Sequence, residues 1–401
     1  MKYKITTIYI AMIYFFPFFF VACNLPGTSN SITFSREYEP IGCFYSVKQI
    51  EDSGYITAGV QFDIVDEGPI NGNLRVLKTN QWGVTIWDNI YAEDCIDAQL
   101  VLSNDGGYLI SISAYVADAL EQRLIKIDSQ GNKEWVKDFG LKTRLHLTQR
   151  LIKCKNEEDA YLLSGFSSST DNFLLKINGE GEEIWKQNYT TEFISYSSDA
   201  FYIDVISETN DGGYILAGEC TVPNNEYSNY LVRIKTDKDG NILWMKYNDF
   251  TMGQTHVGYI HENQNGDFII FMDIRFGDED KRYISMYKID NNGNLLSSKD
   301  LSGYNLGEPV ITSVKRTYDG NFIILIGGHE RNEEINNMDT IMQLKKISPE
   351  GEEVWAKEAI NYTLFCTEQT KDKGYILSGS INDNFTLVKT DELGNSTIWG
   401  E

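Results

Sequence analysis

The sequence predicts an all-β protein built from seven copies of one four-stranded antiparallel unit, and three observations carry the prediction. An aromatic residue follows an acidic or amide turn and opens an apolar run as Tyr55, Tyr108, Tyr161, Tyr214, Phe268, Phe322 and Tyr375, every 53 or 54 residues. Downstream in each copy, an apolar strand carrying Lys or Arg leads through a Gly turn into a strand ending in Trp87, Trp135, Trp185, Trp244, Trp355 or Trp399, with Ser297 in the fifth copy. The composition agrees, since 33 Gly and 13% aromatic residues against 7 Pro suit many tight turns between strands.

Residues 1–4 contain two lysines, and residues 5–22 form an apolar run that ends in front of Cys23. A run of this length nearly spans a bilayer, which keeps a retained transmembrane anchor as the alternative. The basic start and the small Ala22 before the cysteine favour a cleaved signal peptide over residues 1–22. The stretch FVAC, Phe20 to Cys23, resembles the lipobox of bacterial lipoproteins, although that family usually carries Leu where this chain has Phe20. The resemblance implies cleavage before Cys23 and lipidation there, with acyl chains such as palmitate holding the chain at a membrane. Asn24 is not the aspartate that Gram-negative lipoproteins use for inner-membrane retention, so the implied place is the cell outer membrane, on either its periplasmic or its surface side. Residues 23–35 read as a tether, within which residues 31–35 (SITFS) are a candidate closing strand.

Residues 36–401 hold the repeats. In the second copy the four strands fall at residues 98–103, 107–112, 123–128 and 133–139, where alternation and β-branched enrichment replace any helical period. The D-x-x-G-N turn between the third and fourth strands has a mechanism: Asp caps its own backbone, and Gly accepts the positive φ that the bulge position demands. The N-D-G-G turn between the first and second strands works in the same way. Each repeated Tyr, Phe or Trp reads first as packing between adjacent units. Ser297 should make the fifth unit the least well packed. Four-stranded units of this length, repeated radially, close into a β-propeller, which leaves no exposed sheet edge. The expected fold is therefore a seven-bladed β-propeller of four-stranded antiparallel blades.

The recurring DGGYILAG … LVKID … GNxxW pattern resembles the repeats of uncharacterised Bacteroidota propeller lipoproteins and, more distantly, quinoprotein-type propellers. The distant relatives imply an eight-bladed ring with Ca²⁺ and often adjacent cysteines, and this chain has seven copies and no adjacent cysteines. Propellers serve as enzymes, lectins and scaffolds alike, so the resemblance implies a fold rather than an activity.

With 58 Asp+Glu against 35 Lys+Arg, the net charge of −23 argues against nucleic acid as a partner. His146, His256, His261 and His329 are scattered, and the sequence has no H-E-x-x-H, GxSxG or P-loop. Asp237, Asp239 and Gly240 resemble half an EF-hand loop, but its twelfth position is Asn248 rather than a bidentate Glu. No catalytic residue, metal site or cofactor is expected. Cys43, Cys95, Cys154, Cys220 and Cys366 are odd in number and far apart, which argues against a disulfide framework.

The turns between strands one and two and between strands three and four are short and alike, whereas the loops between strands two and three vary in length and content. Specialisation is therefore expected on the varied face. The inter-unit links there carry Tyr189, Tyr196, Tyr247, Phe250 and Tyr304 as candidate binding residues, flat platforms suited to sugar or peptide. The expected function is that of a non-catalytic cell-envelope binding or scaffold lipoprotein with a monomeric body, recognising a glycan or an envelope protein. The alternative is a polysaccharide-acting enzyme, a glycoside hydrolase or lyase, with its site at the central channel.

Overall fold

The computed structural model describes residues 31–62, 72–116, 119–142, 150–157, 159–168, 171–190, 201–221, 229–247, 254–275, 281–301, 306–332 and 337–399. These form an all-β body without a helix. Cys23, Tyr196, Phe250 and Tyr304 lie outside the described residues, as does the apolar run at residues 5–22. Among the described residues no helix is long and apolar enough to cross a membrane.

The strands fall into sets of four. The first comprises β1 (Phe34–Gln49), β2 (Tyr55–Phe62), β3 (Gly72–Thr79) and β4 (Thr85–Leu102). β4 is long enough to serve twice, pairing with β3 through Thr85 to Tyr91 and, beyond a bend, with β5 (Tyr108–Val116) through Cys95 to Leu102. β6 (Ala119–Ile127) and β7 (Lys133–Lys142) complete that second set. The next set is β8 (Leu151–Lys153), β9 (Ala160–Ser168), β10 (Asp171–Asn178) and β11 (Glu183–Thr190). Three separate four-stranded sheets follow. They are β12 (Phe201–Glu208), β13 (Tyr214–Thr221), β14 (Asn229–Thr236) and β15 (Ile242–Lys246), then β16 (Gln254–Glu262), β17 (Phe268–Arg275), β18 (Arg282–Ile289) and β19 (Leu295–Asp300), then β20 (Gly307–Arg316), β21 (Phe322–Asn332), β22 (Asn337–Ile347) and β23 (Glu353–Ile360). The last strands are β24 (Tyr362–Gln369), β25 (Tyr375–Ile381) and β26 (Asn384–Thr390).

Among the described residues β26 is followed by a turn and no further strand, so Trp399 does not end a fourth strand as its motif suggests. The fourth place beside β26 is taken by the other end of the chain. Phe34 to Tyr38 of β1 pair antiparallel with Phe385 to Lys389, and Gly42 to Gln49 of the same strand pair with β2. The closing strand expected at residues 31–35 thus runs further, from Phe34 to Tyr38.

Burial follows strand position. β2 and β17 are buried along almost their whole length, being covered on both faces by neighbouring sheets, while the outermost β23 alternates toward solvent and the outermost β19 is exposed at all but one position. The repeated aromatics Tyr55, Tyr108, Tyr161, Tyr214, Phe268, Phe322 and Tyr375 are each at most 2% exposed. Every hydrophobic cluster lies between two sets consecutive in the chain, except one. That one joins Ile376, Phe385 and Leu387 at the C-terminal end to Phe44, Val47, Tyr55 and Leu77 at the N-terminal end. The arrangement is propeller-like, with neighbouring sheets packed face to face around an axis.

The seams repeat one device. The Trp of the outer strands β4, β7, β11, β15 and β23 lies half-buried under the turn glycine of the next set: a Cβ at Gly293 would stand 2.7 Å from the Trp244 ring, and φ at Gly293 is +79°. The same ring meets the next aromatic anchor, as with Trp244 and Phe268 at 6.4 Å or Trp355 and Tyr375 at 5.7 Å between centroids. Four residues beyond the Trp, Tyr91 and Tyr189 donate their hydroxyls to the same glycine's carbonyl, Gly131 at 2.6 Å and Gly240 at 2.8 Å.

The turns hold this frame rigid. Asp128 Oδ1 accepts from the Gln130 and Asn132 amides, each at 2.8 Å, and Asn132 Nδ2 donates to Oδ2 at 2.8 Å. Asp237, Asp290 and Asp391 repeat the pattern. Those bonds, led by the Asn132 side chain, hold the Asp128 carboxyl below the usual carboxylate range.

Candidate functional site

The innermost strand of every set faces the axis, and together these strands bound a cavity of about 400 Å³. Their free edges would expose unpaired amides, but side chains of the preceding or following set meet several of them. Ser46 Oγ accepts from the Leu100 amide at 3.1 Å, Gln99 Oε1 from the Arg150 and Leu151 amides at 3.0 Å, and Ser313 Oγ from the Thr367 amide at 3.2 Å. Most inner strands also carry a β-bulge, which re-aims a side chain. Register shifts at Tyr45, Thr312 and Phe365 put these three on the cavity wall, with the Tyr45 and Phe365 rings 4.9 Å apart.

The charge of the wall is opposite to that of the protein. Lys48, Arg150, Lys153, Lys155 and Lys315 line it, against the carboxylates Asp97 and Glu208. Glu208 is already engaged, accepting from the Lys155 amide and from Asn156 Nδ2 at 3.0 Å, a strap between β8 and β12. Burial raises the Asp97 carboxyl, while Arg150 and the Ser113 contact oppose that rise. Ser113 donates its amide to Asp97 Oδ1 at 2.9 Å.

Lys48 pairs with Glu368, just outside the wall. Lys315 is half-buried and makes no ion pair among the described residues, and burial, then the Lys48 ammonium, lowers its pKa. His261 is held neutral at pH 7: burial, then Arg316 and Lys155, depress it to about 4. Cys366 stands on the same wall, half-buried, whereas Cys43, Cys95, Cys154 and Cys220 are buried, and none of the five forms a disulfide among the described residues. No group of three or more His, Cys, Asp or Glu able to hold a metal ion occurs among the described residues.

Of the aromatic candidates expected on the varied face, Tyr189 is 2% exposed, its ring in the core and its hydroxyl on Gly240. Tyr247 is half-buried against the cluster that holds Ile206 and Leu216. The structure does not bring these two to the cavity wall.

Sequence reasoning missed the channel cations. The position seven residues before each aromatic anchor holds Lys48, Val101, Cys154, Ser207, His261, Lys315 and Glu368, while the position eight before is almost always apolar or neutral. Variation at one fixed place inside a constant frame was the signal, and it becomes visible once the repeats are aligned on the anchors.

No family model matches this chain, and no curated protein matches it. Solved structures do resemble it in fold. An apocarotenoid oxygenase of Synechocystis superposes with TM-score 0.52 at 10% identity, covering 92% of this chain and 95% of that one. BBS1N, from its complex with ARL6DN, gives 0.53 at 8% identity, covering 91% and 98%. A protein of unknown function from Dyadobacter fermentans gives 0.48 at 11% identity, covering 88% and 98%. At these identities the likeness to the first two is one of fold alone.

Proposed function

We propose that this protein is a non-catalytic binding or scaffold lipoprotein of the cell envelope, anchored through Cys23, whose seven-bladed ring presents a varied-loop face to a glycan or an envelope protein. The supporting observation is a division of labour between the two ends of the ring. At one end, turns share one set of hydrogen bonds: the Ser103, Thr209, Thr317 and Thr370 amides each donate to the Gly or Asn carbonyl four residues on, and the Asp128-type caps recur beside them. In the sequence, the connections between those turns share neither length nor composition. A frame held constant on one side and altered on the other is the pattern of a scaffold carrying a recognition surface. The seven-fold count rests on the seven anchors and on clusters between consecutive sets, including the one joining both chain ends.

The test is a binding screen of the full-length chain against glycans and envelope proteins, with product analysis of each glycan retained. Saturable binding without new product, weakened by substitutions at Tyr196, Tyr247 or Phe250, supports this reading. Intact-mass measurement of the membrane fraction should show a chain starting at Cys23 plus acyl mass, and the same membrane retention in Cys23→Ser would contradict the anchor.

A second reading, a polysaccharide-cleaving enzyme placed on the outer membrane, draws on Asp97 and Glu208. Both carboxylates line the channel, and burial favours the protonated form of Asp97 as a general acid needs. Time-dependent cleavage lost in Asp97→Asn would move the protein to that class.

A further inference from the structure

The molecule as a whole is strongly acidic, yet its one axial cavity is walled by five cations and two carboxylates, or three counting Glu368 behind Lys48. Glu208 and Glu368 are both committed to protein partners. Lys315 makes no ion pair among the described residues, and the Lys48 ammonium acts on it unfavourably while the Glu368 carboxylate that Lys48 holds acts favourably, so two ammonium groups share one carboxylate on the cavity wall. Holding two ammonium groups away from water against one carboxylate leaves a net positive charge, and a bound anion is the partner that would offset it. Beside these cations the wall changes character. The Tyr45 and Phe365 rings form an apolar corner, and the hydroxyls of Ser111 and Thr312 stand on the same wall. Rings, hydroxyls and ammonium groups on one small cavity match a sugar ring that carries an oxyanion.

We propose that the axial cavity binds a small anionic sugar, its carboxylate or phosphate set between Lys48 and Lys315 and its ring against Tyr45 and Phe365. The site is separate from the loop face and does not depend on what that face recognises. Lys153 and Lys155, at the same end, draw the anion in against the repulsion of the outer surface. Occupancy covers Cys366, which shares the wall with Lys315.

The experiment is calorimetric titration of the full-length chain in detergent with glucuronate, glucose 1-phosphate and neutral methyl glucoside, alongside the alkylation rate of Cys366. Saturable binding of at least one charged sugar is expected, and which of the two binds tells carboxylate from phosphate. Methyl glucoside should not compete. Raising sodium chloride from about 20 mM to about 300 mM should weaken binding several-fold, since the contact is largely one of charge. Lys315→Met should weaken it at least about tenfold and Lys315→Arg far less, because only the first removes the cation. Bound ligand should slow Cys366 alkylation several-fold. Lys315→Met removes a half-buried charge that makes no ion pair among the described residues and should melt no lower than the parent chain; the salt dependence and the alkylation rate need no variant. Absence of saturable binding by both charged sugars, equal affinity in Lys315→Met, or an unchanged Cys366 rate under saturating ligand would each overturn the proposal.

Discussion

Two seams depart from the repeat rule, and they do so in opposite directions. Between β16–β19 and β20–β23, sets adjacent in the chain, the motif residue is missing: Ser297 stands where the other internal seams have Trp. Between β24–β26 and the first set, the residues come from opposite ends of the chain, yet the contacts are those of a regular seam. Phe34 pairs with Lys389 as Trp87 pairs with Lys78, and a Cβ at Gly83 would stand 2.7 Å from the Phe34 ring. Tyr38, four residues on, donates to the Gly83 carbonyl at 2.6 Å, as Tyr91 does to Gly131. Even the strap recurs, with Gln49 Oε1 accepting from the Lys371 amide at 2.7 Å and Gln369 Oε1 from the Tyr318 amide at 2.6 Å.

The Ser297 seam is not loose, contrary to what its motif suggests. Near Gly351, the Met286 and Lys299 side chains occupy the space that a Trp ring takes elsewhere. Phe322 meets Phe271 at 5.0 Å, His261 at 5.9 Å and Tyr259 at 6.3 Å, and is fully buried. What the fold requires at each seam is filled volume under the next turn, and the residue type is secondary.

Substitutions can break or sharpen this comparison. Phe322→Ala should cost most, about 3 to 5 kcal/mol in reversible denaturation, because it empties a fully enclosed site whose neighbours are aromatic rings. Trp244→Ala should cost about 2 to 4 kcal/mol, its ring being half-buried, while Ser297→Ala should change stability by less than about 0.5 kcal/mol. Equal losses at Trp244 and Ser297 would show that the Trp ring is not what seals its seam.

Phe34→Trp should be tolerated within about 1 kcal/mol, since the indole has the same seat at the other seams, whereas Phe34→Ala should cost more. A large loss in Phe34→Trp would mean that the closing seam is built differently. The smallest expected effect is on pH dependence. Burial, Arg316 and Lys155 depress His261 to about 4, so the fold favours its neutral form. That stabilisation is complete above about pH 6.5 and is lost as pH falls from there toward about 4. His261→Phe, which keeps a ring against Phe322, should flatten the stability profile across that window.

Much of this architecture is legible in the sequence because local turn chemistry and burial repeat with a fixed period. The D-x-x-G-N caps and the aromatic anchors fall where their spacing puts them, and the strands of the second set begin and end within a few residues of expectation. Two things are not legible. Trp399 matches the motif but is not in a fourth strand, and Phe34 and Tyr38 lack the motif but fill its place, because pairing with β26 is decided across the whole length of the chain. The channel cations are equally hidden, since Lys48 and Lys315 meet only when the strands are wound about one axis.

Ring closure by the N-terminal strand is the central claim, and hydrogen exchange at β26 tests it most directly. In the full chain the amides of Phe385 to Lys389 that face β1 should be as protected as those of the interior strand β14. Deleting residues 31–39 should release those amides while β14 keeps its protection. Unchanged protection of β26 in the deleted chain would contradict the account, because the pairing that closes the ring would then not be with β1.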